Sequence, residues 1–378
     1  MTNKIDEKLL KQIEILSFEK KVSCFVYGKN FDATKAILKK NNIHINHEYL
    51  FINSLLCKMS RREIFSLSNL CEVDYIFSVA TATCLMYVSK KILKTDTLPL
   101  FGKGVGVAFI DTGISPHADF LVGDNRIKFF KDFVSNKQNM YDNNGHGTFV
   151  AGVCSGSGAL SKFRFSGVAP KSDIFALKAL NDKGEASASK ILDAMEWVFE
   201  NHKEQNIKVV CMSFGSEPLG ANDPIMLGAE ALWKDGVTVV AAAGNSGPEF
   251  QTIKSPGIST KIITVGGIDD NRYNKFEFNK KFFEIANFSS RGPAFRKIKP
   301  DVVAPSVDIV SCGNKNFYTT LSGTSVATPM IAGLVCLILE KYPDAKPNQI
   351  KQFLLSKGQP LGFEKFMEGY GLPDISDL

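Results

Sequence analysis

Four short segments carry residue types that could together cleave an amide bond. A serine nucleophile needs a base to take its hydroxyl proton, a carboxylate to orient that base, and donors for the oxyanion that forms on the attacked carbonyl. Asp111 lies in Ile-Asp-Thr-Gly, His146 in Asn-Gly-His-Gly-Thr and Ser325 in Ser-Gly-Thr-Ser, while Asn245 lies in Ala-Gly-Asn-Ser-Gly after an apolar run. Together these residues are the parts that serine-based acyl transfer requires.

Each of these residues also has an ordinary structural interpretation. An aspartate after a strand, such as Asp111, can cap a turn or bind a metal, and a loop asparagine, such as Asn245, often stabilises a turn. Glycines flank His146 and leave its ring accessible, but a lone histidine is more often structural. The functional hypothesis therefore depends on all of the segments occurring together.

The elements that must position these residues can be read from the hydrophobic pattern. Apolar runs rich in β-branched residues alternate with helical stretches such as 189–200, and the runs lie at 105–110, 174–177, 209–212, 237–242 and 262–265. This alternation predicts an α/β fold with a parallel sheet and helices on both faces. Asp111 then lies at the carboxyl end of a strand, where active sites of open parallel sheets form. Ser325 stands where a helix begins, so backbone N–H groups point toward an anion formed there.

The N-terminal quarter predicts a separate small module. An amphipathic helix is expected over residues 1–17, and residues 80–100 are expected to form a linker. Between them the pattern gives the order strand, helix, strand, strand, helix and strand. The first strand is 22–27, the first helix is 32–40 with Asp32 as its cap, and two strands lie within 43–57 around His47 and Glu48. A second helix follows a capping box at Ser60 and Glu63, and the last strand is 72–79. This order is typical of a compact α+β ferredoxin-like module.

Taken together, in the order Asp, His, Ser and over roughly residues 104–355, the segments resemble the subtilisin-like serine proteases of the peptidase S8 family, most of all its intracellular bacterial members. The resemblance implies that Ser325 is the nucleophile, His146 the general base and acid, and Asp111 the carboxylate that orients it. It also implies an oxyanion hole made by Asn245 and the Ser325 N–H group. The expected activity is that of an endopeptidase acting on proteins and peptides through an acyl-enzyme.

The resemblance also implies a zymogen. Residues 1–94 would be an inhibitory and chaperone pro-segment with its linker, residues 95–378 the catalytic domain, and self-cleavage would fall between residues 79 and 91. A permanent regulatory domain is the competing interpretation of the N-terminal module. For the whole chain, the alternative is a catalytically silent subtilisin-fold protein that binds or regulates a partner.

The substrate-binding residues follow from the same resemblance. An extended peptide would pair with Ser213 and Gly215, and the side chain before the scissile bond would enter a pocket whose floor carries Lys254, where a small residue is usual. We hypothesise a preference for acidic or small polar residues at that subsite. The alternative is that Lys254 turns out to solvent.

Several positions depart from the family pattern. Phe149 replaces a second histidine and Val326 replaces a methionine, and neither takes part in proton transfer. Residues 155–164 contain cations and no carboxylate where many members hold calcium, and Asp119 remains without evident partners. We therefore expect no metal site and no required cofactor; a weak calcium site elsewhere stays open.

Composition excludes other classes. Residues 1–94 hold 15 Lys and Arg against 9 Asp and Glu, while the remainder is balanced at 30 against 30, which disfavours nucleic-acid binding. No signal peptide is visible, and the ten continuously apolar residues at 330–339 are too few to span a membrane. The eight cysteines show no metal-ligand spacing and no disulfide framework. A cytoplasmic protein is expected.

Overall fold

A computed structural model of the chain describes residues 4–6, 9–10, 13, 20–79, 81–84, 92–95, 97–271 and 283–378. Its strands are β1 Val22–Tyr27, β2 Ile45–Tyr49, β3 Ser54–Met59, β4 Tyr75–Ser78, β5 Thr81–Cys84, β6 Gly106–Asp111, β7 Ile127–Asp132, β8 Asp173–Lys178, β9 Ala186–Ser187, β10 Ile207–Met212, β11 Phe214–Ser216, β12 Thr238–Ala242, β13 Ile263–Asp269, β14 Glu284–Ile285, β15 Val302–Pro305, β16 Ile309–Cys312, β17 Tyr318–Leu321, β18 Gly358–Gln359 and β19 Leu372–Pro373. Its α-helices are α1 Phe31–Lys40, α2 Arg61–Ser68, α3 Ala118–Leu121, α4 His146–Ser155, α5 Ala188–Asn201, α6 Pro224–Lys234, α7 Thr324–Lys341, α8 Pro347–Ser356 and α9 Lys365–Glu368. Short 3₁₀ turns lie at Leu50–Ile52, Ala159–Ser161 and Gly220–Asn222.

The large sheet has the order β14-β13-β12-β10-β6-β8-β7, with β15 beside β13. All its neighbouring strands run parallel except the β13–β14 pair. The predicted parallel α/β sheet is therefore confirmed. Helices α4 and α7 pack against each other and against the sheet, and α5 packs against α6 as a second pair.

Helix α7 lies in the core. Among the described residues it is the one helix long and apolar enough to cross a membrane, but 89% of its 18-residue apolar window is buried inside the molecule. Its apolar character is therefore accounted for by packing against the sheet strands β10, β12, β13 and β15.

The N-terminal residues form their own antiparallel sheet in the order β2-β3-β1-β4. The order of strands and helices is the predicted one, and the capping box at Ser60 and Glu63 is present. Leu38, Leu55 and Ile64 belong to a buried apolar cluster of this module. Most of the helix predicted over residues 1–17 lies outside the described residues.

Two local predictions in this module were wrong. The cap of α1 is Asn30, whose side chain accepts a hydrogen bond from the Ala33 N–H at 3.0 Å, and Asp32 lies in the first turn. The reversal between β2 and β3 follows Tyr49 instead of falling at His47 and Glu48. Asn53, which adopts a positive φ of 50°, provides the turn, so His47 and Glu48 stay extended within β2.

The linker prediction was also wrong in part, because Thr81–Cys84 is a strand. It lies between β11 and β9 and pairs antiparallel with both. Its four residues are too few to show the alternation of a strand, and the strand is defined by backbone pairing with β11 and β9, more than 100 positions away.

Candidate active site

Asp111 and His146 meet at the carboxyl end of the large sheet. Asp111 is the last residue of β6 and His146 is the first of α4, and both are buried. The Asp111 Oδ1 atom lies 2.5 Å from His146 Nδ1 and also accepts the Thr112 backbone N–H at 2.7 Å. Because a carboxylate only accepts, Nδ1 must donate, which leaves Nε2 as the basic nitrogen. The pair is therefore arranged as a general base with its orienting acid.

Ser325 is the second residue of α7, and the helix that carries it packs against the helix that His146 begins. Its side chain is buried, and its Oγ has no hydrogen-bond partner among the described residues. An unpaired buried hydroxyl at a helix N-terminus costs stability, and catalytic hydrogen bonds often tighten only when substrate is bound. The Ser325 hydroxyl is thus buried at the start of α7 without a partner in the described part of the chain, so it is left available for chemistry.

Asn245 follows β12 and contacts the start of α7. Its Oδ1 accepts hydrogen bonds from the Thr324 backbone N–H at 3.0 Å and from the Thr324 hydroxyl at 2.7 Å. Both donors engage the side-chain oxygen, so the amide NH2 group is directed away from Thr324 and remains available as a donor. Asn245 is thus held against Thr324, the residue that precedes Ser325. An oxyanion hole requires an amide donor in such a position.

Sequence reasoning missed a buried carboxylate that joins the Asp111 and His146 segments. Asp142 accepts hydrogen bonds from the Thr112 hydroxyl at 2.9 Å, the Gly145 N–H at 2.8 Å, and the N–H and hydroxyl of Thr148 at 2.9 and 2.7 Å. Thr112 in turn accepts the Gly147 N–H at 2.8 Å. The signal available in the sequence was an aspartate four positions before His146, at the expected start of a helix.

Strands β11 and β9 flank a groove that β5 fills as an extended strand. β11, which contains Gly215 and directly follows Ser213, pairs with β5 so that Gly215 faces Thr83 across the ladder. On the other side, β5 pairs with β9 at Ala186 and Ser187. The chain itself thus demonstrates that an extended segment can lie between β11 and β9. The remainder of the expected cleavage window beyond Cys84, residues 85–91, lies outside the described residues.

Lys254 lies beside this groove, but its ammonium is paired. Its Nζ lies 2.5 Å from Glu217 Oε1, and 17% of the Lys254 side chain is exposed against 63% for Glu217. Its backbone N–H donates to Ala243 at 2.8 Å, which ties it to the segment leading to Asn245. Lys254 therefore neither stands free in the groove nor turns fully out to solvent.

The N-terminal module docks on α5 through β2 and the 3₁₀ turn that follows it. The Tyr49 hydroxyl donates to Asp193 Oδ1 at 2.7 Å, and His47 Nε2 lies 2.9 Å from Glu196 Oε2. Phe51 packs against Phe199 with ring centroids 5.6 Å apart. The hydrogen bond to Glu196, more than any other contact, raises the pKa of His47.

A buried group of potential metal ligands, His117, Asp119 and Cys312, does not fit a cation. The Asp119 carboxylate accepts the Gly158 and Leu160 N–H groups at 3.0 Å each and the Tyr318 hydroxyl at 2.9 Å. Burial raises the pKa of Cys312 well above its ordinary value, so it stays a thiol and donates to Asp119 at 3.6 Å. Asp119, which seemed to lack partners in the sequence, is thus filled by donors.

His117 and Arg126 complete this arrangement. Burial lowers the pKa of His117, whose Nδ1 accepts the Asp119 N–H at 3.1 Å and whose Nε2 lies 3.2 Å from the Phe317 carbonyl. The buried Arg126 guanidinium donates to the backbone carbonyls of Asp119 and Ser155. A cation would need free oxygen lone pairs as ligands. Here N–H and hydroxyl groups of the protein already bind the Asp119 carboxylate, and the Arg126 guanidinium binds the neighbouring carbonyls.

An Asp-His pair at the edge of a parallel sheet, a buried serine at a helix start and a neighbouring amide donor are the arrangement of a serine protease of the subtilisin class. The model of the subtilase family, peptidase S8, matches residues 102–372. The chain belongs to this family.

Known relatives agree with this assignment. The chain is 40% identical over 296 residues to serine protease AprX of Bacillus subtilis, covering 72% of this chain and 65% of that protein. It is 29% identical over 351 residues to a thermostable alkaline protease of Halalkalibacterium halodurans, covering 92% of this chain and 89% of that protein. Among solved structures, sphericase superposes with a TM-score of 0.66 at 27% identity, covering 76% of this chain and 96% of that one.

Proposed function

We propose that this subtilase is a serine endopeptidase made as a self-processing zymogen, in which residues 1–94 are the inhibitory pro-segment and residues 95–378 the catalytic domain. The observation that carries the proposal is the position of β5, between β11 and β9 and connected to the N-terminal module. A segment held there as a strand excludes a second peptide from the same backbone groups.

The chemistry follows from the placement of the triad. Ser325 Oγ attacks the scissile carbonyl while His146 Nε2 takes its proton, and Asp111 holds the imidazolium that forms. Asn245 and the Ser325 N–H group bind the oxyanion. His146 then gives the proton to the leaving amine. In the second half of the reaction His146 takes a proton from water, the water oxygen attacks the ester carbonyl, and His146 returns the proton to Ser325 Oγ as the acid product leaves.

Contacts outside the groove support the inhibitory role of the N-terminal module. Tyr49, His47 and Phe51 attach it to α5 by hydrogen bonds and an aromatic contact. The alignment with the thermostable alkaline protease covers 92% of this chain, so it must extend into this module. We further propose that the enzyme needs no metal. We also propose that it works in a reducing compartment such as the cytoplasm, because the seven cysteines whose side chains the structure describes are free thiols.

The test is the intact mass of purified wild type and Ser325→Ala after incubation, with casein hydrolysis measured in parallel. We expect wild type to be cut between residues 79 and 91 and to cleave casein, while the alanine variant does neither. If both stay full length and inert, trace trypsin separates a dormant zymogen, which becomes active, from a binding protein, which does not.

A further inference from the structure

We infer that Lys254 and Glu217 together shape the subsite beside Ser325 into a shallow, uncharged slot that selects small side chains on the residue before the scissile bond. The inference rests on the proposed endopeptidase function and concerns its specificity. It differs from the sequence-based hypothesis, which assumed a free lysine charge attracting acidic residues.

The slot lies between two glycines. A methyl group at Gly215 would stand 4.0 Å from the Gly244 Cα and only 2.6 Å from the Lys254 Cβ. A methyl group at Gly244 would clash with the Lys254 Cγ. The aliphatic stem of Lys254 therefore occupies the space between the two glycine backbones.

This space opens next to the reaction centre. Gly244 donates its N–H to the Thr324 hydroxyl at 3.2 Å, and Thr324 precedes Ser325. Gly215 belongs to the strand that an extended peptide joins. A peptide that joined β11 with its carbonyl at Ser325 would place the side chain before the scissile bond near the gap between Gly215 and Gly244, where it would meet the Lys254 stem.

The charge of the slot is balanced. The 2.5 Å contact between Lys254 Nζ and Glu217 Oε1 pairs the ammonium with a carboxylate whose side chain is 63% exposed. An acidic substrate side chain would have to compete with Glu217 for the same cation, and an aromatic one would have to displace the stem. Small uncharged side chains require neither change.

The test is a series of peptide p-nitroanilides that differ only in the residue before the scissile bond, Ala, Phe or Glu, with the enzyme obtained by self-processing of the full-length chain. In wild type we expect kcat/KM to be highest for Ala. Lys254→Gly removes the stem and should raise the Phe-to-Ala ratio by about tenfold or more, the usual range for opening an apolar subsite. Lys254→Met keeps a stem without charge and should leave that ratio low.

The charge part is tested by Glu217→Gln, which frees the ammonium and should raise the Glu-to-Ala ratio. Its matched control is Glu230→Gln, which breaks the remote Lys261–Glu230 pair of 2.5 Å and should change neither ratio. A wild type that prefers Phe, or a Phe-to-Ala ratio unaltered in Lys254→Gly, overturns the inference. Casein hydrolysis by wild type separates these results from failure of the proposed function, because an enzyme inert on casein contradicts both.

Discussion

Thr324 holds the Asn245 side-chain oxygen with both its N–H and its hydroxyl, at 3.0 and 2.7 Å. The residue before Ser325 thus sets the direction of the Asn245 amide, which is the proposed oxyanion donor. Because Thr324 also accepts the Gly244 N–H at 3.2 Å, three hydrogen bonds tie the turn carrying Asn245 to the helix carrying Ser325.

Loss of the Asn245 amide should reduce turnover. Asn245→Leu is expected to lower kcat by about 10²–10³, a magnitude known from subtilisin itself, with little change in KM. Thr324→Val should lower kcat by about five- to tenfold, because one ordinary hydrogen bond fixes the amide. The double variant should lose no more than Asn245→Leu alone; additive losses would mean that Thr324 does not act through Asn245. Thr328→Val, one turn later in α7, is the control.

Replacing Asp111 by asparagine should reduce kcat by about 10⁴, the loss seen when the orienting carboxylate of such a triad is replaced, because the wrong histidine tautomer is then favoured. Folding should be retained, since an asparagine oxygen can still accept the Thr112 N–H. The measurement is single-turnover hydrolysis of a p-nitroanilide, with circular dichroism to verify the fold. A loss of less than tenfold would contradict the role given to the 2.5 Å contact with His146.

Asp142→Asn should impair both stability and catalysis. The amide nitrogen of the new asparagine would face N–H or hydroxyl donors, whose hydrogen bonds it cannot accept. A buried donor left unsatisfied in this way lowers the free energy of unfolding by about 1–3 kcal/mol. We expect a lower melting temperature and a lower kcat, since Thr112 and the start of α4 lose their common partner. Asp182→Asn, a half-exposed position bonded to Asn143, is the control and should change kcat little. Equal kcat in the two variants would argue against a positioning role for Asp142.

The docking of the N-terminal module should weaken as pH rises. Contact with Glu196 raises the pKa of His47, and Asp193 and Glu48 act in the same direction. The stabilisation is therefore complete below the ordinary histidine pKa of about 6.5 and is lost as pH rises through the raised value. We expect the lag before casein hydrolysis to shorten from pH 6 to pH 8 more in wild type than in His47→Gln. His44→Gln, at an exposed neighbouring position, should behave like wild type. If the lag depended on pH in the same way in all three proteins, His47 would have no part in release of the module.

Removal of metal ions by a chelator should not inactivate the enzyme, because the Asp119 region does not need a bound ion. Its carboxylate is filled by N–H, hydroxyl and thiol donors, so no cation is needed to balance it. We expect unchanged melting temperature and casein hydrolysis after treatment with EDTA. In contrast, Tyr318→Phe removes a donor to Asp119 and should lower the melting temperature. Inactivation by EDTA that added calcium reverses would place a required ion elsewhere in the protein.

The amino-acid sequence by itself predicted the serine-protease class and the order of the elements. Asp111, His146 and Ser325 each sit in a short motif, and the apolar runs behind them are long enough to predict strands from local pattern alone. The capping box at Ser60 and Glu63 is likewise local, because both partners lie within one turn.

Only the tertiary structure decided how these parts are held. Asn245 is oriented by a residue 79 positions away, Asp142 binds Thr112 across 30 positions, and Lys254 is neutralised by Glu217 across 37. Strand β5 exists because β9 and β11 supply its hydrogen-bond partners. Hydrogen bonds and ion pairs between distant segments leave no periodic pattern in the sequence. The direction of the Asn245 amide, the pairing of Lys254 with Glu217 and the position of β5 between β9 and β11 are therefore visible only in the tertiary structure.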